Sequence, residues 1–185
     1  MDKQLPFEKQ YNEETKIDWK AIDLTENKIK EPLNAHRVGE NRYGIATYSQ
    51  ERPYLITYGL SACKALVFYN STERRGFIAH ISVAGNLKDV VDRFIADFGS
   101  LTDADCYVVT GGRQAESGQW PEVESLIVEL SRHQPKSLSI DRSGVDKPRG
   151  VALNLKNGEL SEIDNSSGWT WSDSQDVTGN KKITN

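Results

Sequence analysis

Three runs rich in aromatic and β-branched residues, Tyr54–Tyr58, Lys64–Tyr69 and Phe77–Val83, follow one another closely in the middle of the chain. Residues of this kind, bounded by small or polar breaks, read as β-strands. The first break is Gly59-Leu60-Ser61-Ala62. The second, Asn70-Ser71-Thr72-Glu73-Arg74-Arg75-Gly76, must contain a hairpin turn. The pattern then changes period. Leu87, Val90, Val91, Phe94, Ile95 and Phe98 recur at helical spacing, with Asn86 suited to cap the start and Gly99 to end it. Cys106–Thr110 is a strand ending at Gly111-Gly112. A second helix runs from Pro121 to His133, with Val123, Leu126, Ile127 and Leu130 on its core face and Pro135 beyond its end. Ser137–Asp141, Gly150–Leu155 and Glu159–Ile163 are further strands, the last two joined at Asn157-Gly158. Strands, helix, strand, helix, strands is an α+β order: β-sheet layers, or a sandwich, with helices packed outside. Residues 1–44 are charged and weakly patterned and read as an N-terminal extension. Residues 164–185 read as a polar tail, in which Trp169 and Trp171 alternate as a short strand would.

A chain of 185 residues suits one domain. Its net charge of −4 gives no general pull on phosphate backbones, and Arg74-Arg75 and Lys181-Lys182 are isolated pairs, so no nucleic-acid partner is expected. No apolar run approaches the roughly 20 residues that span a bilayer, so no membrane insertion is expected. Met1-Asp2-Lys3-Gln4-Leu5 lacks the apolar core of a signal peptide. The expectation is a cytoplasmic protein, or one secreted into a host cell without a cleaved signal. Two cysteines and three histidines lack CxxC or HxxxH spacing, so no metal is expected, and no glycine-rich phosphate loop implies a cofactor.

The chemistry sits in the hairpin. A turn centred between Ser71 and Thr72 puts Cys63 directly opposite His80, where paired residues share a face with Cβ atoms about 4.5–5.5 Å apart. A thiol beside an imidazole can exist as thiolate and imidazolium near neutral pH, and the thiolate is the nucleophile. The small residues before Cys63 allow a tight turn and can aim backbone N–H groups at an oxyanion. The plainer reading is that a cysteine is a small buried hydrophobe and a strand histidine a core or edge residue. Cys106, inside Cys106-Tyr107-Val108-Val109, is expected in the core, and His36 and His133 are expected to be structural or solvated.

Thr57-Tyr58-Gly59-Leu60-Ser61-Ala62-Cys63, the strand Ala65–Asn70 and Gly76-Phe77-Ile78-Ala79-His80 together resemble the CheD family of chemoreceptor glutamine deamidases, with its T-x-G-L-G-S-C, apolar strand and following histidine. Downstream, Val109-Thr110-Gly111-Gly112, Ser139–Gly144, Arg149–Leu155 and Asn157-Gly158-Glu159 resemble that family's later motifs, so the likeness runs over residues 45–163. The Thr, Cys and His arrangement is also similar to that of deamidating bacterial toxins: cytotoxic necrotizing factors, and a lethal factor acting on a host translation helicase. These carry an L-S-G-C motif where this chain has Leu60-Ser61-Ala62-Cys63. His80 is followed by Ile81-Ser82-Val83-Ala84 rather than the Phe-Met-Leu-Pro of the CheD family. The resemblance implies a CheD-like catalytic domain over 45–163. It implies Cys63 as nucleophile, His80 as acid–base and Thr57 as the residue that orients the histidine. Leu60, Ser61 and Ala62 would flank the substrate and oxyanion. The implied activity is hydrolysis of a protein glutamine side chain to glutamate, on a chemoreceptor-like target or a host signalling or translation protein. Another thiol hydrolase on the same site, a methylesterase or amidase, is one alternative. A non-catalytic module that docks on a signalling protein is another.

Overall fold

The structure, a computed structural model, describes residues 17–82, 87–111, 120–141, 143, 148–164 and 181–183. Val83, Asn86, Gly112, Trp169 and Trp171 lie outside the described residues.

Among the described residues, twelve strands form two sheets: β1 (Lys20–Ile22), β2 (Lys28–Ile29), β3 (Ala35–Val38), β4 (Arg42–Thr47), β5 (Tyr54–Leu60), β6 (Lys64–Asn70), β7 (Arg75–Ile81), β8 (Ala104–Thr110), β9 (Ser137–Asp141), β10 (Arg149–Asn154), β11 (Leu160–Ile163) and β12 (Lys181–Lys182). One sheet has seven strands in the order β1-β9-β8-β6-β7-β4-β12, and the other has five in the order β2-β11-β10-β5-β3. Among the described residues there are two α-helices, α1 (Leu87–Phe98) and α2 (Trp120–Arg132). No helix among the described residues is long and apolar enough to cross a membrane.

The layers arise from side-chain alternation along β6, where successive residues point to opposite faces. Leu66 and Phe68 join one cluster with Val91, Phe94, Phe98, Leu126, Ile127 and Leu130 from the helices. Phe68 stacks on Phe77 at 4.7 Å between ring centroids, and Phe94 tilts onto Phe77 at 5.0 Å. Ala65, Val67 and Tyr69 point the other way. They meet Leu55, Leu60, Val151 and Leu153 of the five-stranded sheet. The molecule is thus helices, sheet, sheet, and β6 is apolar on both faces because both are covered.

The expected strands and helices recur within a few residues of their expected bounds. The charged N-terminal stretch also contributes: β1 pairs in parallel with β9, β2 with β11 and β3 with β5. These three strands lie at sheet edges, where partial exposure hides their apolar alternation. β12 pairs antiparallel with β4.

The register of the central hairpin differs from expectation. Asn70 pairs with Arg75 and Ala65 with His80, so the turn centre falls between Thr72 and Glu73 rather than between Ser71 and Thr72. The cause is local. The Asn70 side chain accepts the Glu73 N–H at 3.0 Å, and Arg74 takes a left-handed φ of 49°, closing a short connection. Cys63 is therefore not opposite His80 but two residues along, on the same face.

A buried ionic cluster ties the two sheets together near this end of the sandwich. The Arg149 guanidinium meets Asp141 of β9 and Glu162 of β11, each at 2.7 Å, and donates to the Thr110 carbonyl at 3.2 Å. Glu162 also receives Lys28 at 3.3 Å.

Candidate active site

Thr57 and His80 come from different sheets and meet in the interior between them. The Thr57 hydroxyl lies 2.8 Å from the Val38 carbonyl and 2.9 Å from His80 Nδ1. A carbonyl can only accept, so the single hydroxyl proton goes to Val38. The Thr57 oxygen must then accept from His80, which fixes the proton on Nδ1 and leaves the lone pair on Nε2. That Nε2 is buried and has no hydrogen-bond partner among the described residues, and His80 as a whole is only 2% exposed. A buried imidazole nitrogen without a partner is uncommon because it forfeits a hydrogen bond that water would have supplied.

Cys63 stands one residue before β6. Its carbonyl accepts from the Gly111 N–H at 2.9 Å, which extends the β6–β8 ladder to it. Its face is therefore that of Ala65, which pairs directly with His80. Diagonal neighbours of this kind lie about 7–8 Å apart at Cα, within reach of a ring side chain. Thr57, His80 and Cys63 are each under one-tenth exposed.

A bulge makes this arrangement possible. The pairing of β10 with β5 slips between Arg149 and Val151, opposite the stretch from Thr57 to Leu60, and Gly59 there has φ +75°. An extra residue in one strand re-aims the residues beyond it, and glycine takes the left-handed conformation at no steric cost. The chain leaves β5 at Leu60 and turns through Ser61 and Ala62 into Cys63. Leu60 is fully buried among the inter-sheet residues, so its side chain is core rather than a substrate contact. Ala62 is exposed, Ser61 is half-buried, and the Ser61 backbone N–H donates to the Cys63 sulfur. Gly111 closes the other side. A Cβ there would fall 2.2 Å from the Ser61 carbonyl oxygen and 2.8 Å from that of Cys63.

Burial governs the titration of both reactive groups. Desolvation pushes the Cys63 thiol up, and the Glu40 carboxylate adds to this, while Lys64 and the Ser61 N–H act the other way. Desolvation brings His80 down to about 4, against a small upward pull from Glu40. The resting pair is a neutral thiol and a neutral imidazole, not the thiolate and imidazolium that adjacency alone suggests. The cause is the closed inter-sheet interior, which the sequence does not display.

The other sequence candidates lie elsewhere. Cys106 is fully buried in the cluster beneath the helices, with its thiol pushed far up by burial. His36 is on β3 and half-buried, and His133 lies 3.3 Å from Asp92. Among the described residues no group of three or more His, Cys, Asp or Glu side chains could hold a metal ion. Sequence reasoning missed the Val38 carbonyl and the turn Gly39-Glu40-Asn41, whose Asn41 N–H donates to the His80 carbonyl at 2.9 Å. Their one local signal was the Gly-Glu-Asn triplet, since asparagine tolerates the left-handed φ of 54° found at Asn41. No family model and no curated protein matches the chain.

Proposed function

We propose that this chain is a cysteine-dependent protein-glutamine deamidase, with Cys63 as nucleophile, His80 as general base and acid, and Thr57 as the residue that holds the histidine. The observation that carries this reading is the buried His80 Nε2 with no partner among the described residues, its tautomer set by Thr57, on the same strand face as Cys63. A histidine kept only for packing would gain from a partner on that nitrogen. A histidine that must accept a proton needs the nitrogen free. The CheD-like order of Thr57, Cys63 and His80 supplies the substrate class.

Because the pair rests neutral, proton transfer accompanies attack. The Cys63 Sγ–H proton moves to His80 Nε2 as sulfur bonds to the carboxamide carbon of a substrate glutamine. The oxygen gains the negative charge, and the Ser61 N–H, which hydrogen-bonds the Cys63 sulfur, is a candidate donor to it. His80 then gives its proton to the nitrogen as the C–N bond breaks and ammonia leaves. Water attacks the resulting thioester, His80 takes the water proton, and the C–S bond breaks to return the thiol and release glutamate.

The test is incubation of the full chain with candidate target proteins, followed by tryptic mapping for Gln→Glu conversion, with Cys63→Ser alongside. Conversion by the unaltered chain and none by Cys63→Ser supports the reading. Equal conversion by both would sink the assignment of the site.

A further inference from the structure

The buried ionic cluster reaches the turn that carries Cys63 through a single peptide group. The Gly111 N–H and the Cys63 carbonyl bond across β8 and β6, so the adjoining pair, Thr110 and Lys64, turns its backbone groups away from that shared edge. The Thr110 carbonyl therefore faces the β9 side of β8, where β9 ends at Asp141 opposite Val109. The Arg149 guanidinium donates to that carbonyl at 3.2 Å in the buried interior. The carbonyl of Thr110 and the N–H of Gly111 belong to one planar peptide unit. Arg149 thus grips one end of a rigid plane whose other end holds the Cys63 carbonyl at 2.9 Å. A cation at the carbonyl also polarises the amide and strengthens the bond that its N–H makes.

The guanidinium has little freedom of its own. Its Nε donates to Glu162 at 2.8 Å, Nη2 meets the same carboxylate at 2.7 Å, and Nη1 meets Asp141 at 2.7 Å. Asp141 is fixed in turn, accepting from the Ser143 N–H at 3.0 Å and the Leu24 N–H at 3.4 Å. The Arg149 backbone pairs with Leu60, at the other end of the same turn, next to the bulge. Both ends of the stretch Leu60–Cys63 are therefore referred to one residue. Gly111 lies too close to Ser61 and Cys63 for any side chain to fit between, so a shift of its peptide is passed on to the turn. Holding two sheets together does not require charge, since apolar side chains of similar volume often serve as well or better than a buried ionic cluster. Gripping the Thr110 carbonyl does require a donor.

We propose that Arg149 is a positioning residue for Cys63, holding the nucleophile's turn in place through the Thr110–Gly111 peptide. This rests on the reading of Cys63 as the nucleophile, and the test separates the two. Arg149→Met combined with Asp141→Asn and Glu162→Gln removes the guanidinium without leaving a carboxylate buried and unpaired, an exchange of a kind that folded proteins often tolerate. Arg149→Lys, which keeps a cation between the carboxylates but loses the planar fork, supplies the reading if the triple variant does not fold. Both cysteines are free thiols, and Cys106, in the core beneath the helices, reports opening of the whole domain. The full chain and the variants are treated with iodoacetamide, and labelling of each cysteine is timed by peptide mapping. The ratio of Cys63 to Cys106 rates cancels global unfolding. A hydrogen bond to a charged group is worth about ten- to hundredfold in a local opening equilibrium, so the ratio is expected to rise by that factor in the triple variant and in the same direction in Arg149→Lys. An unchanged ratio in a folded variant makes the cluster a clamp between sheets and overturns the proposal. In a second arm, kcat per folded molecule for deamidation is expected to fall at least about tenfold with KM little altered. An equal kcat overturns the proposal and leaves deamidation standing. A raised labelling ratio with no target converted even by the unaltered chain counts against deamidation and leaves the positioning of Cys63 in place.

Discussion

Replacing Thr57 by valine keeps the shape of the side chain and removes one oxygen. That oxygen serves two buried groups, the Val38 carbonyl at 2.8 Å and His80 Nδ1 at 2.9 Å. Each group left without its partner costs about 1–3 kcal/mol, so Thr57→Val should destabilise by about 2–6 kcal/mol, a substantial share of the roughly 5–15 kcal/mol typical of a domain. The larger consequence is chemical. With no acceptor opposite Nδ1, the imidazole is free to carry its proton on Nε2, and in that form it cannot take one from Cys63. Thr57→Ser restores the acceptor at the loss of one methyl group, about 0.8 kcal/mol of burial. Long-range proton–nitrogen NMR on the His80 ring should report the Nδ1–H form in the unaltered chain and in Thr57→Ser, and loss of that uniformity in Thr57→Val. Deamidation rate per folded molecule, corrected by denaturant titration, should follow the tautomer. The reasoning is refuted if Thr57→Val keeps the Nδ1–H form and the full rate, or if the unaltered chain shows Nε2–H.

Stability should also depend on pH through His80. The unfolded chain binds a proton near the ordinary histidine value of about 6.5, whereas the folded chain holds out until about 4. The folded state therefore loses stability as pH falls through that window, by up to about 3 kcal/mol. Urea midpoints at pH 7 and 4.5 should show a steeper fall in the unaltered chain than in His80→Gln, and equal falls would contradict the assignment. Alkylation of Cys63 with iodoacetamide should show its inflection on the alkaline side of an unperturbed thiol's value of about 8.5, since burial holds the thiol up. An inflection at or below neutrality would mean the pair rests ionised after all. Gly111→Ala, which sets a methyl 2.2 Å from the Ser61 carbonyl oxygen, should displace the Ser61–Cys63 turn and abolish most activity. Rate per folded molecule is the measure, and a variant as fast as the unaltered chain would show that the turn has slack.

Much of the fold was legible where one element determines its own state. The α1 face, Val90, Val91, Phe94 and Phe98, announces itself because helical spacing is local, and the hairpin around residue 72 announces itself because its turn residues are polar and its strands are not. The register was harder. One side-chain hydrogen bond, from the Glu73 N–H to Asn70, moves the turn centre by one residue and so moves His80 from Cys63 to Ala65. Face survived where pairing did not, because a shift of two in the partner preserves the alternation. Thr57 entered through resemblance alone, since its place beside His80 depends on the packing of two sheets. Titration was the least legible. Adjacency of thiol and imidazole suggests an ion pair, and only the closed interior around both, 8% exposure at Cys63 and 2% at His80, turns the balance toward the neutral forms.

The hydrogen bond from Ile183 to Asn41 gives the site a place in time as well as in space. Asn41 holds the His80 carbonyl, and the residue that holds Asn41 is made 142 residues later in the chain. At synthesis rates of about 5–20 residues per second, Asn41 waits roughly 7–30 s for that partner. Cys63, His80 and Thr57 all emerge well before Ile183 does. During that interval the thiol is present while the turn that carries Glu40 lacks one of its anchors. A nascent or truncated chain ending before residue 181 would thus carry the reactive groups without the brace supplied from β12, and the Gly39–Asn41 turn beside His80 acquires its last anchor only when that strand docks on β4.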